Sequence, residues 1–439
     1  MLREKLIVVL LVVLGVADAA PPCSIYLTLT PLARSAEERF LEVNWGSACE
    51  EKMWIGVFQK NPSLYNEQPI YYLETHGQPS GYELTSIQLG RLDLPKEWES
   101  PAGEKKNFHT ECLPYFVAGF RGDDLVSLDC LKIQPQWQTQ MKDRIGNIPL
   151  RKLFIPGTHC SGCYMNDTQT RMQLLRHFIF PQDFDVWTQL VFGVRYLDVS
   201  VGYHNNEKTR EKFWIVADNI IVSPLDKLLE DVKRFIEVSG EVVILDFRDF
   251  PLGFLSSGTM AERHNEFVEY LERELKDVAL PRQDGRESFD FTLNEIQSMG
   301  KTLIVTYGIP GLAEKSQYLW RCWEGHTSAS LMDSEMTEYV RNLFGRRNTP
   351  GMEVPDIGWV FYGIQSIESY VGSSRKIQSA RERAAAINRN LTTWLSGPWG
   401  LNANAVAIDF ILSSNLLDIA LHTNRHKAHK ASDLLNMDY

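Results

Sequence analysis

The chain has 439 residues, 44% of them hydrophobic, with 45 basic and 56 acidic side chains and a formal net charge of −11. Aromatic residues make up 11%, enough to fill full-sized cores, which excludes global disorder. A net negative chain repels phosphate backbones, so a general nucleic-acid binder is excluded as well.

The first predicted element is a leader. Arg3 and Lys5 precede the apolar run 6–14, and small residues follow over 15–20. That is the pattern of a secretory signal peptide over residues 1–20, and the run is too short to span a bilayer. The expectation is a secreted, soluble mature protein. Seven cysteines (Cys23, Cys49, Cys112, Cys130, Cys160, Cys163 and Cys322) fit an oxidising compartment. Four precede residue 131, so two bridges are expected there, and the odd count leaves one thiol free or bonded to another chain. Cys160-x-x-Cys163 has no second cysteine pair near it, which argues against zinc. Asn166-Asp167-Thr168 and Asn390-Leu391-Thr392 are candidate glycan sites.

Residues 21–135 form the second unit. Short alternating runs at 24–29, 40–45, 53–58 and 115–120, broken by Gly, Pro and Asn, predict an all-β sandwich carrying disulfides. After Trp137 the pattern changes. Apolar runs at 152–155, 194–199, 213–216, 241–247, 301–307, 358–363 and 405–410, with a weaker one at 317–322, predict eight strands. Residues 224–237, 261–276, 335–344 and 375–395 have helical spacing. Alternation of this kind predicts a parallel sheet covered on both faces, here a (β/α)8 TIM-like barrel over 140–430. A doubly wound sheet is the alternative.

In a barrel the chemistry sits where strands end. The polar residues there are Thr158, His159, Cys160 and Ser161, then Asp198 and Ser200, Asp218 and Asn219, Asp246, Arg248 and Asp249, Tyr307, Gln365, and Asp409. Four of these regions carry a resemblance: Ile155-Pro156-Gly157-Thr158-His159, Gly193-Val194-Arg195-Tyr196-Leu197-Asp198, Glu241-Val242-Val243-Ile244-Leu245-Asp246-Phe247 and Asn404-Ala405-Val406-Ala407-Ile408-Asp409-Phe410. Taken in this order, the chain resembles the phosphatidylinositol-specific phospholipase C X-domain family, its secreted X-domain-only branch above all. The resemblance covers roughly 140–425 and leaves the β-rich first part outside.

The resemblance implies a PLC-like phosphodiesterase barrel. In that family the inositol 2-hydroxyl attacks the phosphodiester. The reaction needs a base, an acid for the leaving oxygen, and a cation beside the phosphate. It places His159 at the first histidine and Asp198 and Asp409 at acidic positions. Cys160 stands where the family has Asp or Asn, and Ser200 where it has an arginine or a calcium-binding acid. Val216-Ala217-Asp218-Asn219 stands where Val-His-Gly is expected, so the second histidine is lost. A calcium site is not expected, because Cys160 and Ser200 bring no carboxylate, and no cofactor is implied.

The reading is therefore a phospholipase C-like protein with a degraded catalytic set, weak or non-catalytic, that binds a phosphoinositide-type headgroup or a protein. The alternative is an active phosphoric diester hydrolase whose rearranged site recruits His204, Asp218 or Arg248. Each has a plainer role: solvated loop residue, helix cap, and ion partner of Asp246 or Asp249. A bridge from Cys160 or Cys163, for instance to Cys322, would clamp the His159 loop, whereas a nucleophilic Cys160 beside His159 is the sharper alternative. Peripheral membrane contact could come from the apolar rim runs 250–255 and 319–323, or from the basic run 422–430. The same rim runs could instead be buried under the amino-terminal unit.

Overall fold

The computed structural model describes residues 23–33, 39–46, 49, 52–90, 92–99, 109–164, 180–205, 211–217, 219–254, 259–331, 333–345, 356–365 and 379–437. The leader, Asn166 and Asp218 lie outside the described residues.

Seven strands build the amino-terminal part. β1 (Ile25–Leu29), β2 (Phe40–Trp45) and β5 (Gly81–Gln88) pair as one antiparallel sheet. β3 (Trp54–Phe58), β4 (Tyr71–Glu74), β6 (Glu111–Arg121) and β7 (Asp124–Ile133) form a second in the order β4-β3-β6-β7. Alternation sends Leu27, Leu29, Val43, Ile55, Val57 and Val117 inward to one core, as expected for a sandwich. Cys23 bonds to Cys49, and Cys112 to Cys130 across the β6–β7 hairpin.

The second part is a ring of parallel strands. β8 (Ile155–Thr158), β9 (Tyr196–Asp198), β13 (Val243–Phe247), β14 (Leu303–Tyr307), β15 (Leu319–Arg321), β16 (Glu324–Thr327), β17 (Trp359–Gly363) and β18 (Ala405–Ile408) lie in the order β15-β14-β13-β9-β8-β18-β17-β16. Neighbours follow chain order round the sheet, with no switch point, which rejects a doubly wound topology. β15 and β16 sit at opposite ends of that order, yet only Cys322 and Trp323 separate them in the chain. Two residues reach only about 10 Å, so the sheet curls until the two segments form one interrupted stave. This is a TIM-like barrel preceded by a β domain.

Two expectations need correction here. Residues 213–216 are not a barrel stave. β11 (Phe213–Ala217) pairs antiparallel with β10 (Val201–Tyr203) and β12 (Ile220–Pro224) in a side sheet, and the eighth strand of the ring is β16, which continues the interrupted stave begun by β15. The first stave also starts later than residue 152, because residues Leu150–Lys152 turn as a 3-10 helix before β8.

Helices cover the ring: α1 (Val186–Phe192), α2 (Leu225–Ser239), α3 (Met260–Leu275), α4 (Asp333–Gly345), α5 (Ala380–Leu395) and α6 (Leu416–Met437). Asp185 caps α1 through the Thr188 amide, and Ser379 with Glu382 makes a capping box on α5. Period two then splits every stave. Leu197, Leu245, Val305, Phe361 and Val406 face the helices, whereas Ile155, Tyr196, Ile244, Ile304, Val360 and Ala405 fill the ring. The family-like motif residues Arg195 and Glu241 are fully buried partners, 2.9 Å apart. Arg195 also donates to the Pro135, Leu190 and Val194 carbonyls. Their role is to anchor the barrel.

The two parts are joined by an ion pair and by hydrogen bonds. Arg389 of α5 pairs with Glu42 of β2 at 2.7 Å, and Arg381 pairs with Asp183 while donating to the Pro31 carbonyl. Trp187 of α1 donates its indole N–H to the Trp98 carbonyl.

Candidate active site

Continuing the inward parity to the carboxyl ends of the staves leads from apolar layers to a polar one. His159 follows Ile155 and Gly157, Asp198 follows Tyr196, Asp246 and Arg248 follow Ile244, Thr306 follows Ile304, Tyr362 follows Val360, and Asp409 follows Ala405 and Ala407. His159 Nδ1 and Asp409 Oδ1 are 2.8 Å apart, with 30% and 12% of their side chains exposed. With Nδ1–H donated to the carboxylate, Nε2 carries the lone pair a base needs.

The loop carrying His159 is fixed from several sides. Cys160 adopts a left-handed φ of 40° and is bridged to Cys163. Its amide donates to Asp198 Oδ2 at 2.9 Å, and the Ser161 amide donates to the Asp198 carbonyl at 2.7 Å. Gln182 Nε2 donates to the His159 carbonyl. Burial pushes the Asp198 carboxyl up to about 6, with Asp246 and Asp249 adding to the rise against the opposing effects of His159 and the Cys160 amide. The disulfide removes any nucleophilic role for Cys160, and the expected clamp is present with Cys163 as its partner. Cys322 remains a free thiol.

Asp246 is the centre of the inner layer. Its Oδ2 accepts from Tyr196, from Tyr362 at 3.1 Å and from Arg248 Nε at 3.0 Å. Its Oδ1 accepts from Thr306 and, at 2.9 Å, from the Cys322 thiol. Burial alone would raise this carboxyl, but Arg248 and these donors hold it below the usual range. Burial and the Asp246 charge push the Cys322 thiol up, so it stays protonated. Burial would lower the Arg248 guanidinium, but Asp246 together with Tyr362, Tyr196 and Cys322 raises it further, so it is held strongly protonated. Its guanidinium lies 5.5 Å from the Tyr362 ring centroid, and the same ring meets His159 edge-on at 6.5 Å.

Of the sequence-predicted site residues, His159, Asp198 and Asp409 therefore meet at one mouth, together with Arg248. His204 does not join them: it is exposed beside Trp214 on the β10–β11 arm. Ser200 accepts the Val216 amide through its carbonyl, as part of the same arm. Tyr196, Thr306, Cys322 and Tyr362 were missed as site residues, although inward parity was enough to place three of them. Among the described residues no group of three His, Cys, Asp or Glu side chains is placed to hold a metal ion.

The large aromatic side chains of the apolar rim runs are internal. Phe250 and Phe254 are buried against His264 and Phe267, and Leu319, Trp320 and Trp323 are buried in the barrel wall. No described helix is long and apolar enough to cross a membrane.

No family model matches the chain. PI-PLC X domain-containing protein 1 of Homo sapiens is 25% identical over 214 residues, covering 44% of this chain and 62% of that protein. The Mus musculus protein of the same name is 22% identical over 247 residues, covering 51% and 68%. The chain is related to the PI-PLC X-domain proteins. The match spans less than two thirds of the human relative's length and leaves the β domain's partners open. Among solved structures, phosphatidylinositol-specific phospholipase C from Staphylococcus aureus superposes with a TM-score of 0.46 at 14% identity, covering 65% of this chain and 97% of that one. The Listeria monocytogenes enzyme gives 0.46 at 16% identity, covering 66% and 98%.

Proposed function

We propose that the protein is a slow phosphoric diester hydrolase of the phospholipase C type, acting on phosphatidylinositol-type lipids in an oxidising, extracellular setting. The observation that carries this reading is the His159–Asp409 pair at 2.8 Å on an immobilised loop, with Arg248 held at the same mouth. Asp409 orients the imidazole, and Nε2 takes the proton of the attacking inositol hydroxyl. Arg248 offsets charge gathering on the phosphate, the task the family gives to an arginine or calcium near the position of Ser200. Ala217 replaces the second histidine, so protonation of the leaving oxygen is the weak step. Loss of a placed acid costs roughly 10²–10⁴-fold. The disulfides, Asn390 exposed on α5, and the leader support secretion.

The same substitution favours a second reading, headgroup binding without turnover. Release of soluble inositol phosphates from phosphatidylinositol vesicles separates the two. The native chain should turn over in EGTA as in calcium, and His159→Ala should not. A folded native chain no faster than the variant leaves the binding reading.

A further inference from the structure

Arg248 commits two of its three guanidinium nitrogens to the protein. Nε donates to Asp246 Oδ2 at 3.0 Å, and Nη2 donates to the Trp323 carbonyl at 2.8 Å. Among the described residues no hydrogen bond or ion pair engages Nη1. Gly325 leaves it room. This glycine pairs with Val360, whose side chain fills the ring, so position 325 also faces inward. A Cβ there would stand 2.8 Å from Nη1 and 3.4 Å from Cζ. The Arg248 side chain is 22% exposed, and its Nη1 edge is the one that no described protein acceptor engages.

We propose that Nη1 of Arg248 is the anion-binding prong of the mouth, taking a phosphate oxygen of a headgroup, and that Gly325 and Asp246 are the positioning residues that keep it open and aimed. The proposal rests on the phosphodiester reading above and names the group that would hold the phosphate. A guanidinium pinned at two nitrogens has little freedom left to lose when the third engages an anion, and a charge-assisted bond to phosphate is among the stronger hydrogen bonds. The Asp246 charge does not cancel the prong, because four other donors share that carboxylate. β16 is held in register by β17, so a methyl group at 325 would displace the arginine more readily than the strand.

The test is calorimetric titration of the full chain with inorganic phosphate and, separately, with myo-inositol 1-phosphate. Native protein should bind at least one. Arg248→Gln and Gly325→Ala should each weaken that binding by roughly tenfold to a hundredfold, measured well below the thermal midpoint of each variant, since Arg248→Gln also leaves Asp246 buried without its counter-ion. Arg248→Lys should restore only part, since an ammonium cannot reproduce the pinned fork. A preference for inositol 1-phosphate identifies a lipid headgroup as the source, equal affinities identify phosphate alone, and either supports the prong. Native-like affinity in Arg248→Gln or Gly325→Ala overturns it. So does native protein that binds neither probe, or that binds myo-inositol as well as its phosphate. Binding lost in these variants by a chain that releases no inositol phosphate from vesicles would sink the hydrolase reading and keep the prong. Turnover with unchanged KM in both variants would do the reverse.

Discussion

Asp198 ties the His159 loop to the barrel, and its protonation should be readable in stability. Its carboxyl is 3% exposed and pushed from 3.8 to about 6. The folded state therefore holds this proton more tightly than the unfolded chain. The stabilisation this brings is fully present below the unfolded pKa near 4 and is lost as pH rises through about 6. A difference of about two units corresponds to about 3 kcal/mol. Asp198→Asn cannot ionise, yet it keeps an oxygen for the Cys160 amide. Urea unfolding of both proteins between pH 4 and 7.5 isolates the effect, because carboxylates that do not interact with Asp198 cancel in the difference. The variant should gain up to about 3 kcal/mol relative to native between pH 4 and pH 7.5, most of it between 4 and 6. Parallel stability curves would refute the reasoning, as would a gain that runs toward low pH.

Three further outcomes follow from the geometry. Asp409→Asn should lower vesicle turnover by roughly 10²-fold or more with little change in KM, because the imidazole loses its orienting carboxylate; an unchanged kcat would remove Asp409 from the site. Glu241→Gln should destabilise the fold by about 3–5 kcal/mol, since it leaves Arg195 buried and uncompensated, and a thermal melt near native would contradict that. Cys163→Ser opens a short loop worth about 2 kcal/mol of chain entropy. It should lower kcat through a looser His159 rather than through lost binding, and equal kcat in the two proteins would show that the bridge does not position the histidine.

Much of this architecture was legible because barrel staves announce themselves as apolar runs. Residues 243–247, 303–307, 359–363 and 405–408 all lie inside the expected strands. The error at 213–216 has a physical cause: Phe213, Ile215 and Val216 are as apolar as a stave, but they are buried in the β10–β12 arm, which packs on α2, with Phe213 set against Phe267 and Tyr270 of α3 rather than on the ring. The broken stave was only half visible, since Glu324, Gly325 and Thr327 are exposed and carry no hydrophobic signal. At the site, His159 and Asp409 were readable from strand ends, although nothing in a linear string says that residues 250 apart meet at 2.8 Å. The pairing of Arg195 with Glu241 was likewise invisible, because a motif shows which residues recur together and not whether they serve packing or chemistry.

The interruption at Cys322 and Trp323 also bears on why the site could be rearranged. In an unbroken stave the Trp323 carbonyl would belong to the ladder; here it faces inward and accepts from Arg248. Trp323 is itself held by its indole N–H on Ser288 Oγ at 3.0 Å, so the carbonyl is not free to drift. The same break lets the Cys322 thiol reach Asp246. One irregularity thus supplies a carbonyl that fixes Arg248, a thiol that helps bind its counter-ion and, two residues on, a glycine that leaves its third nitrogen clear. In the proposed reading the cation lost near Ser200 on the second stave is replaced from the β13 end, within the same inward layer. A phosphate at the mouth would then still meet one fixed positive group opposite one oriented imidazole. Moving a cation between staves costs the fold little when a neighbouring stave is already broken to receive it.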